Sequence, residues 1–396
     1  MRSTTPFLWG ASSAPHQTEG NNVNSDWWAF EGEPRGLERS GDAIDSYHRF
    51  EEDMRLLADA GLNAYRFGVE WARIEPVPGH ISRAELAHYR RMIDTADSLG
   101  LTPVITLHHF SSPRWFAEEG GWLGAQAVDR FTRYVETVTG ILGDVPWIAT
   151  VNEPNMLAMM MTAEREMSRP SDVPQGLAGA DNARPKLPAP DPEIGAVLVK
   201  AHHAAREVVR ANTDAAVGWT IASRALAARP GAEDKLREIE YVWEDLYLEA
   251  ARGDDFVGVQ SYTSDWVGPE GIEPHPPHPD NTMVGKAYRP DALGMAVRHT
   301  WDVTGGVPIL VTENGIPTTD DNRRIAYTQG ALHGLFAAID DGVDVRGYLH
   351  WSALDNFRWG DWKPTFGLIS VDRETFERHP KPSLAWLGDV ARRGRP

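Results

Sequence analysis

A rhythm in the apolar residues constrains this chain more than anything else: runs of strand length recur eight times, with stretches of helical period between them. The runs are Phe7–Ser12, Ala64–Trp71, Thr102–His109, Trp147–Glu153, Val217–Ala222, Phe256–Thr263, Ile309–Glu313 and Val345–Trp351. Several are apolar without alternation, the pattern of parallel strands covered on both faces. Among the intervening stretches, Asp45–Ala60 sets Phe50, Met54 and Leu57 on one face and stops at Gly61, a helix C-cap signal. Ala127–Leu142 does the same with Phe131, Tyr134, Val138 and Ile141, and Asn322–Ile339 with Ile325, Leu332, Phe336 and Ile339. Eight such alternations predict an α/β fold in which one domain, residues 1–396, closes into a single (β/α)8 TIM barrel. A doubly wound sheet is the competing arrangement, but no Gly-rich phosphate fingerprint follows the first run.

Two segments interrupt the rhythm. Residues 165–192 are rich in Pro, Gly, Asp and Arg, and residues 268–290 contain Glu273-Pro274-His275-Pro276-Pro277-His278-Pro279. Both follow strand runs, so in a barrel they are loop insertions on the C-terminal face, where active sites of this architecture lie. Solvated loops and a lid over the site both fit that placement.

Bulk chemistry narrows the partners. A formal net charge of -18 repels phosphate backbones and anionic lipid, which argues against nucleic-acid and membrane partners. Cysteine is absent, so disulfides, thiolate chemistry and Cys-based metal sites are excluded. The doublets His108-His109 and His202-His203 lack metal-ligand spacing, and the second is expected to be half solvated on a helix. The stretch from Met1 leads directly into Phe7-Leu8-Trp9, too short for a signal-peptide core, and no apolar run reaches the ~20 residues of a membrane span. A cytoplasmic location is the expectation, with oligomeric state left open. The 15 Trp residues suit the flat apolar faces of sugar rings, although a large core also absorbs many.

Two Glu residues end strand runs. Glu153 closes Trp147-Ile148-Ala149-Thr150-Val151-Asn152-Glu153 before Pro154, and Glu313 closes Ile309-Leu310-Val311-Thr312-Glu313 before Asn314-Gly315. They belong to the fourth and seventh runs and can face each other across a barrel mouth. Such a pair suits acetal cleavage, in which one carboxyl protonates the leaving oxygen and the other meets the developing oxocarbenium ion. A lone Glu at a strand end is more often a salt-bridge partner; the pair with flanking Asn residues is more specific.

These stretches, Thr150-Val151-Asn152-Glu153-Pro154 and Thr312-Glu313-Asn314-Gly315, resemble those of glycoside hydrolase family 1, the β-glucosidase and β-glycosidase family. Further matching motifs run in the family's order through the chain: Phe7-Leu8-Trp9-Gly10 and Gln17-Thr18-Glu19-Gly20, then Tyr65-Arg66-Phe67 and Leu107-His108-His109-Phe110. Trp351-Ser352-Ala353-Leu354-Asp355-Asn356-Phe357 and Lys381-Pro382-Ser383 complete them. The resemblance implies a retaining β-glycosidase that needs no cofactor and no metal and takes a small-molecule or oligosaccharide glycoside. It implies Glu153 as acid/base and Glu313 as nucleophile, with Asn152 on the sugar's 2-hydroxyl and Gln17 and His109 on the 3- and 4-hydroxyls. Trp351 would lie under the ring, Trp359 beside it, and Arg66 and Tyr262 would contact the nucleophile. A cation and a phenol there would keep Glu313 ionised, whereas Glu153 must hold its proton until attack and needs the higher pKa. Core packing is the competing reading of the aromatic residues, as is a structural ion pair for Arg66.

The family pattern is broken after Asp355-Asn356-Phe357, where it implies a Glu binding the 4- and 6-hydroxyls of glucose and this chain has Arg358. A carboxylate only accepts hydrogen bonds and a guanidinium only donates them, so glucose preference does not carry over. The open alternatives are a glycone modified at the 6-position, an anionic sugar met by Arg358 and Lys363, and a pairing of Arg358 with Asp361. The family's Asn-Tyr-Tyr also reads Gln260-Ser261-Tyr262, and Ser111 replaces its usual Asp. Transfer to an alcohol in place of water uses the same intermediate and stays open, and a non-catalytic carbohydrate-binding barrel would lack one Glu.

Overall fold

A computed structural model of the protein describes residues 6–32, 36–167 and 188–396, so most of the 165–192 insertion lies outside the described residues. All eight expected runs form strands: β1 (Leu8–Ser12), β2 (Ala64–Gly68), β3 (Thr102–Thr106), β4 (Trp147–Asn152), β5 (Ala216–Ser223), β6 (Phe256–Ser261), β7 (Ile309–Glu313) and β8 (Val345–Trp351). Neighbours pair in parallel, and β1 pairs with both β2 and β8, which closes the barrel and removes the doubly wound alternative. The second run is shorter than expected because the Glu70 carboxylate accepts the Ala72 N–H and caps a short helix, Trp71–Ile74.

Leu8, Ala64, Val104, Trp147, Ala149, Phe256, Leu310 and Leu349 come from seven strands into one buried cluster, which only the barrel interior allows. Their strand neighbours, among them Trp9, Tyr65, Ile105, Ile148, Val217, Val257 and Val311, face outward into the main core beneath the helices. Burying each large apolar side chain this way contributes roughly 1.5–3 kcal/mol. The helix Ser46–Ala60 buries Met54 and Leu57, leaves Phe50 half-buried, and ends at Gly61, whose φ of 100° suits glycine.

Two expectations need correction. The helix Asp321–Asp340 buries Tyr327, Ala331, Leu332, Leu335 and Ala338 fully, while Ile325, Phe336 and Ile339 stay half-buried. The stripe is shifted because it includes Arg324, whose guanidinium donates to the Thr318 and Thr365 carbonyls and reaches Asp321. His202 is fully buried, not half solvated: it stacks on Trp219 and bonds Thr150 Oγ1 at 2.7 Å and Asp254 Oδ1 at 3.2 Å.

The strand ends that matter most are irregular. Between Ala149 and Asn152, β4 advances three residues while β5 advances two, from Gly218 to Thr220. Between Val311 and Glu313, β7 advances two while β6 advances one, from Val259 to Gln260. One extra residue in a strand reverses the alternation beyond it, and such bulges re-aim side chains. Strict alternation from the inward Leu310 would send Glu313 out toward the helices; the bulge turns it into the mouth. The insertion at 268–290 follows β6, and Trp266–Gly268 just before it joins Ala227–Ala228 and Gly271–Ile272 in a small three-stranded sheet. Among the described residues no helix is long and apolar enough to cross a membrane.

Candidate active site

Arg66 points up from β2 and is fully buried. Its three nitrogens are all engaged: Nε donates to Thr106 Oγ1 at 2.9 Å, Nη1 to Glu313 Oε1 at 2.7 Å, and Nη2 to Asn152 Oδ1. One cation thus ties the ends of β3, β4 and β7 together. The second oxygen of Glu313 accepts a 2.5 Å hydrogen bond from the Tyr262 hydroxyl. Burial and the adjacent carboxylates push the Tyr262 phenol well above its usual value, so it stays a donor.

Glu153 sits beyond the end of β4 at φ 43°, a conformation costing a non-glycine residue about 1–3 kcal/mol and kept only where the surroundings fix it. Its N–H donates to the Thr220 carbonyl at 2.8 Å, and Pro154 starts the next helix. Burial pushes its carboxyl well above the usual range, the Glu313 charge adds to this, and Arg66 and Arg358 oppose it. Burial raises Glu313 too, but there the Arg66 charge and hydrogen bonds from Tyr262, Arg66 and Gln260 pull down. Of the two, Glu313 ionises first.

Around this pair stand buried polar atoms with no protein partner: Gln17 Oε1, His109 Nδ1, Asn152 Nδ2 and Gln260 Oε1. Gln17 spends its amide N–H on the Phe357 carbonyl at 2.6 Å and Asn356 Oδ1 at 3.2 Å, which leaves its oxygen as an acceptor. Burial, aided by the Arg66 charge, holds His109 well below its usual pKa, so the ring is neutral and carries one donor and one acceptor. His109 lies between Trp351 and Trp359 with ring centroids 5.9 and 6.2 Å away, both near-parallel. Trp359 in turn stacks on His16, which bonds the buried Glu31 at 2.6 Å. Unpaired donors and acceptors beside flat aromatic faces fit a polyhydroxylated ring, since leaving each unmet costs about 1–3 kcal/mol.

Of the candidate site residues, Arg66, Asn152, Glu313 and Trp351 lie on barrel strands, and Gln17, His109, Glu153, Tyr262, Arg358 and Trp359 follow the C-terminal ends of strands. Arg358 is exposed, and its backbone exchanges N–H to carbonyl hydrogen bonds with Asp361 in both directions. Lys363 is exposed as well. The motif residues around the site have structural work: a Cβ at Gly315 would lie 2.2 Å from the Trp351 carbonyl, and Asn314 donates to the Ser261 carbonyl at 2.6 Å. Sequence reasoning did not single out Thr106, Thr220 or His16, which carry no motif signal on their own. It met Gln260 only as a departure from a pattern. Among the described residues, no group of three or more His, Asp or Glu is placed to hold a metal ion.

Comparison with known proteins identifies the family. The sequence profile of glycosyl hydrolase family 1 matches residues 2–243 and 251–395. The solved apo structure of a β-glucosidase designated 1317 is 43% identical and superposes with a TM-score of 0.88 over 98% of this chain and 99% of its own. A β-glycosidase from Pyrococcus horikoshii is 32% identical, TM-score 0.85, over 99% of this chain and 96% of its own. A bifunctional β-D-glucosidase/β-D-fucosidase of Bifidobacterium breve is 29% identical over 96% of both chains. With a closed eight-stranded barrel, two carboxyls at its mouth and a family match along nearly its whole length, the chain belongs to glycosyl hydrolase family 1 and is a β-glycosidase.

Proposed function

We propose that this β-glycosidase works by retention, with Glu313 as nucleophile and Glu153 as acid/base. In the first step a Glu313 oxygen bonds the anomeric carbon as the bond to the aglycone oxygen breaks, and Glu153 gives that oxygen its proton. In the second, Glu153 takes a proton from water, the water oxygen bonds the anomeric carbon, and the bond to Glu313 breaks. The observation that carries this reading is the unequal treatment of the two carboxyls: Arg66 and Tyr262 pull the Glu313 pKa down against its burial, while burial and the Glu313 charge both push that of Glu153 up. Asn152 then donates to the 2-hydroxyl, Gln17 and His109 meet the 3- and 4-hydroxyls, Trp351 floors the ring and Trp359 flanks it.

Arg358 extends the reading to specificity. It follows the end of β8, which carries Trp351, its charge acts on Glu153, and it brings a donor group to a position where a glucose-selective site offers a carboxylate. The site therefore takes glycones more broadly than a strict glucosidase, in keeping with a relative named for both glucosidase and fucosidase activity. A panel of aryl β-glucoside, galactoside, fucoside and xyloside tests both levels. Comparable turnover across the panel is expected, and strict glucoside preference would overturn the specificity reading. Glu313→Ala is expected to lose about 10⁴-fold or more in kcat, and Glu153→Ala nearly as much on poor leaving groups. Activity surviving in Glu313→Ala would sink the mechanism.

A further inference from the structure

Gln260, the residue that breaks the family pattern at the end of β6, lies at the centre of the site's hydrogen-bond network. Its Nε2 donates to Asn152 Oδ1 at 2.8 Å and to Thr220 Oγ1 at 3.1 Å, and Thr220 Oγ1 itself donates to Asn152 Oδ1 at 3.0 Å. With the Arg66 guanidinium, three donors converge on the one amide oxygen of Asn152. That oxygen is saturated, and turning the amide over would set its NH₂ against three donors. The orientation is fixed, and Nδ2, buried and without a protein partner, is the end left for a ligand. Across the strands, Gln260 is also the register partner of Glu313 beyond the bulge, and its amide is near enough to help hold that carboxyl down. Space for this arrangement comes from Gly258, where a Cβ would lie 2.5 Å from Thr220 Cγ2 and push the threonine away.

We propose that Gln260 is a positioning residue: together with Thr220 it locks the Asn152 amide as a donor toward the substituent at the sugar's 2-position, and it ties that lock to Glu313. This rests on the retaining β-glycosidase reading above. Gln260 need not touch the sugar; it sets which way Asn152 faces, and hence makes the site demand an acceptor at that position.

The test compares an aryl β-glycoside with its 2-deoxy counterpart in wild type, Gln260→Leu and Thr220→Val. Gln260→Leu is expected to lower kcat/KM about tenfold on the 2-hydroxyl substrate and less than about threefold on the 2-deoxy one. Thr220→Val should show the same selective loss at smaller size, and it carries the test if Gln260→Leu folds poorly. Equal losses on both substrates would make Gln260 a packing residue and overturn the proposal. A wild type that turns over neither substrate is a different failure, that of the glycosidase reading itself.

Discussion

The ends of β4 and β7 invite comparison, because each delivers a glutamate to the same mouth across a bulge and each does so under opposite conditions. Glu313 is clamped: both oxygens have donors, one from a guanidinium and one from a phenol. Among the described residues nothing donates to the Glu153 carboxyl, and its backbone is held in a left-handed conformation by the strand beside it. Identical side chains so acquire different proton affinities from what surrounds them. Each residue's chemistry is written in its neighbours, and perturbing those neighbours should blur the contrast by graded amounts.

Arg66→Met should blur it most. Removing the cation raises the Glu313 pKa, so the carboxylate needed for attack is lost as pH falls from a higher starting point. The acid limb of kcat/KM should move upward and kcat/KM near neutrality should drop about 10²–10³-fold, with circular dichroism confirming the fold. An unmoved acid limb would mean that Arg66 serves only the barrel. Tyr262→Phe removes one donor and leaves the charge, so the same shift should appear with a loss of about tenfold. Arg358→Glu acts on the other partner. Its charge lowers the Glu153 pKa, so reversing it should move the alkaline limb to higher pH by a fraction of a unit, and added salt should shrink the shift because the side chain is exposed. A downward shift would show that Arg358 does not act on Glu153 by charge.

The fold was legible in the sequence because its signal is redundant: eight runs, several of them continuously apolar, leave few other closures. The two glutamates were legible because each ends a run at a turn signal, Pro154 or Gly315. What the side chains do at the site was less so. Period-2 alternation puts Glu313 on the wrong face, since a bulge adds a residue without leaving a composition mark. The shifted stripe of Asp321–Asp340 follows from a buried arginine that hydropathy counts as exposed. Gln260 and Thr220 read as ordinary strand residues until the three-donor convergence on Asn152 is seen, because that contact spans strands far apart in the chain.

The bulges carry one consequence beyond aim. Where a strand holds one residue more than its neighbour needs, the direction of everything after it depends on length and not on which amino acids are present. Were β4 to run as a regular strand with the same residues, Asn152 would turn toward the helices, while every residue named at the mouth remained in the sequence. A motif search would still find the enzyme in such a chain; the reaction would be gone. Counting residues between landmarks is therefore as much a part of reading function here as identifying them.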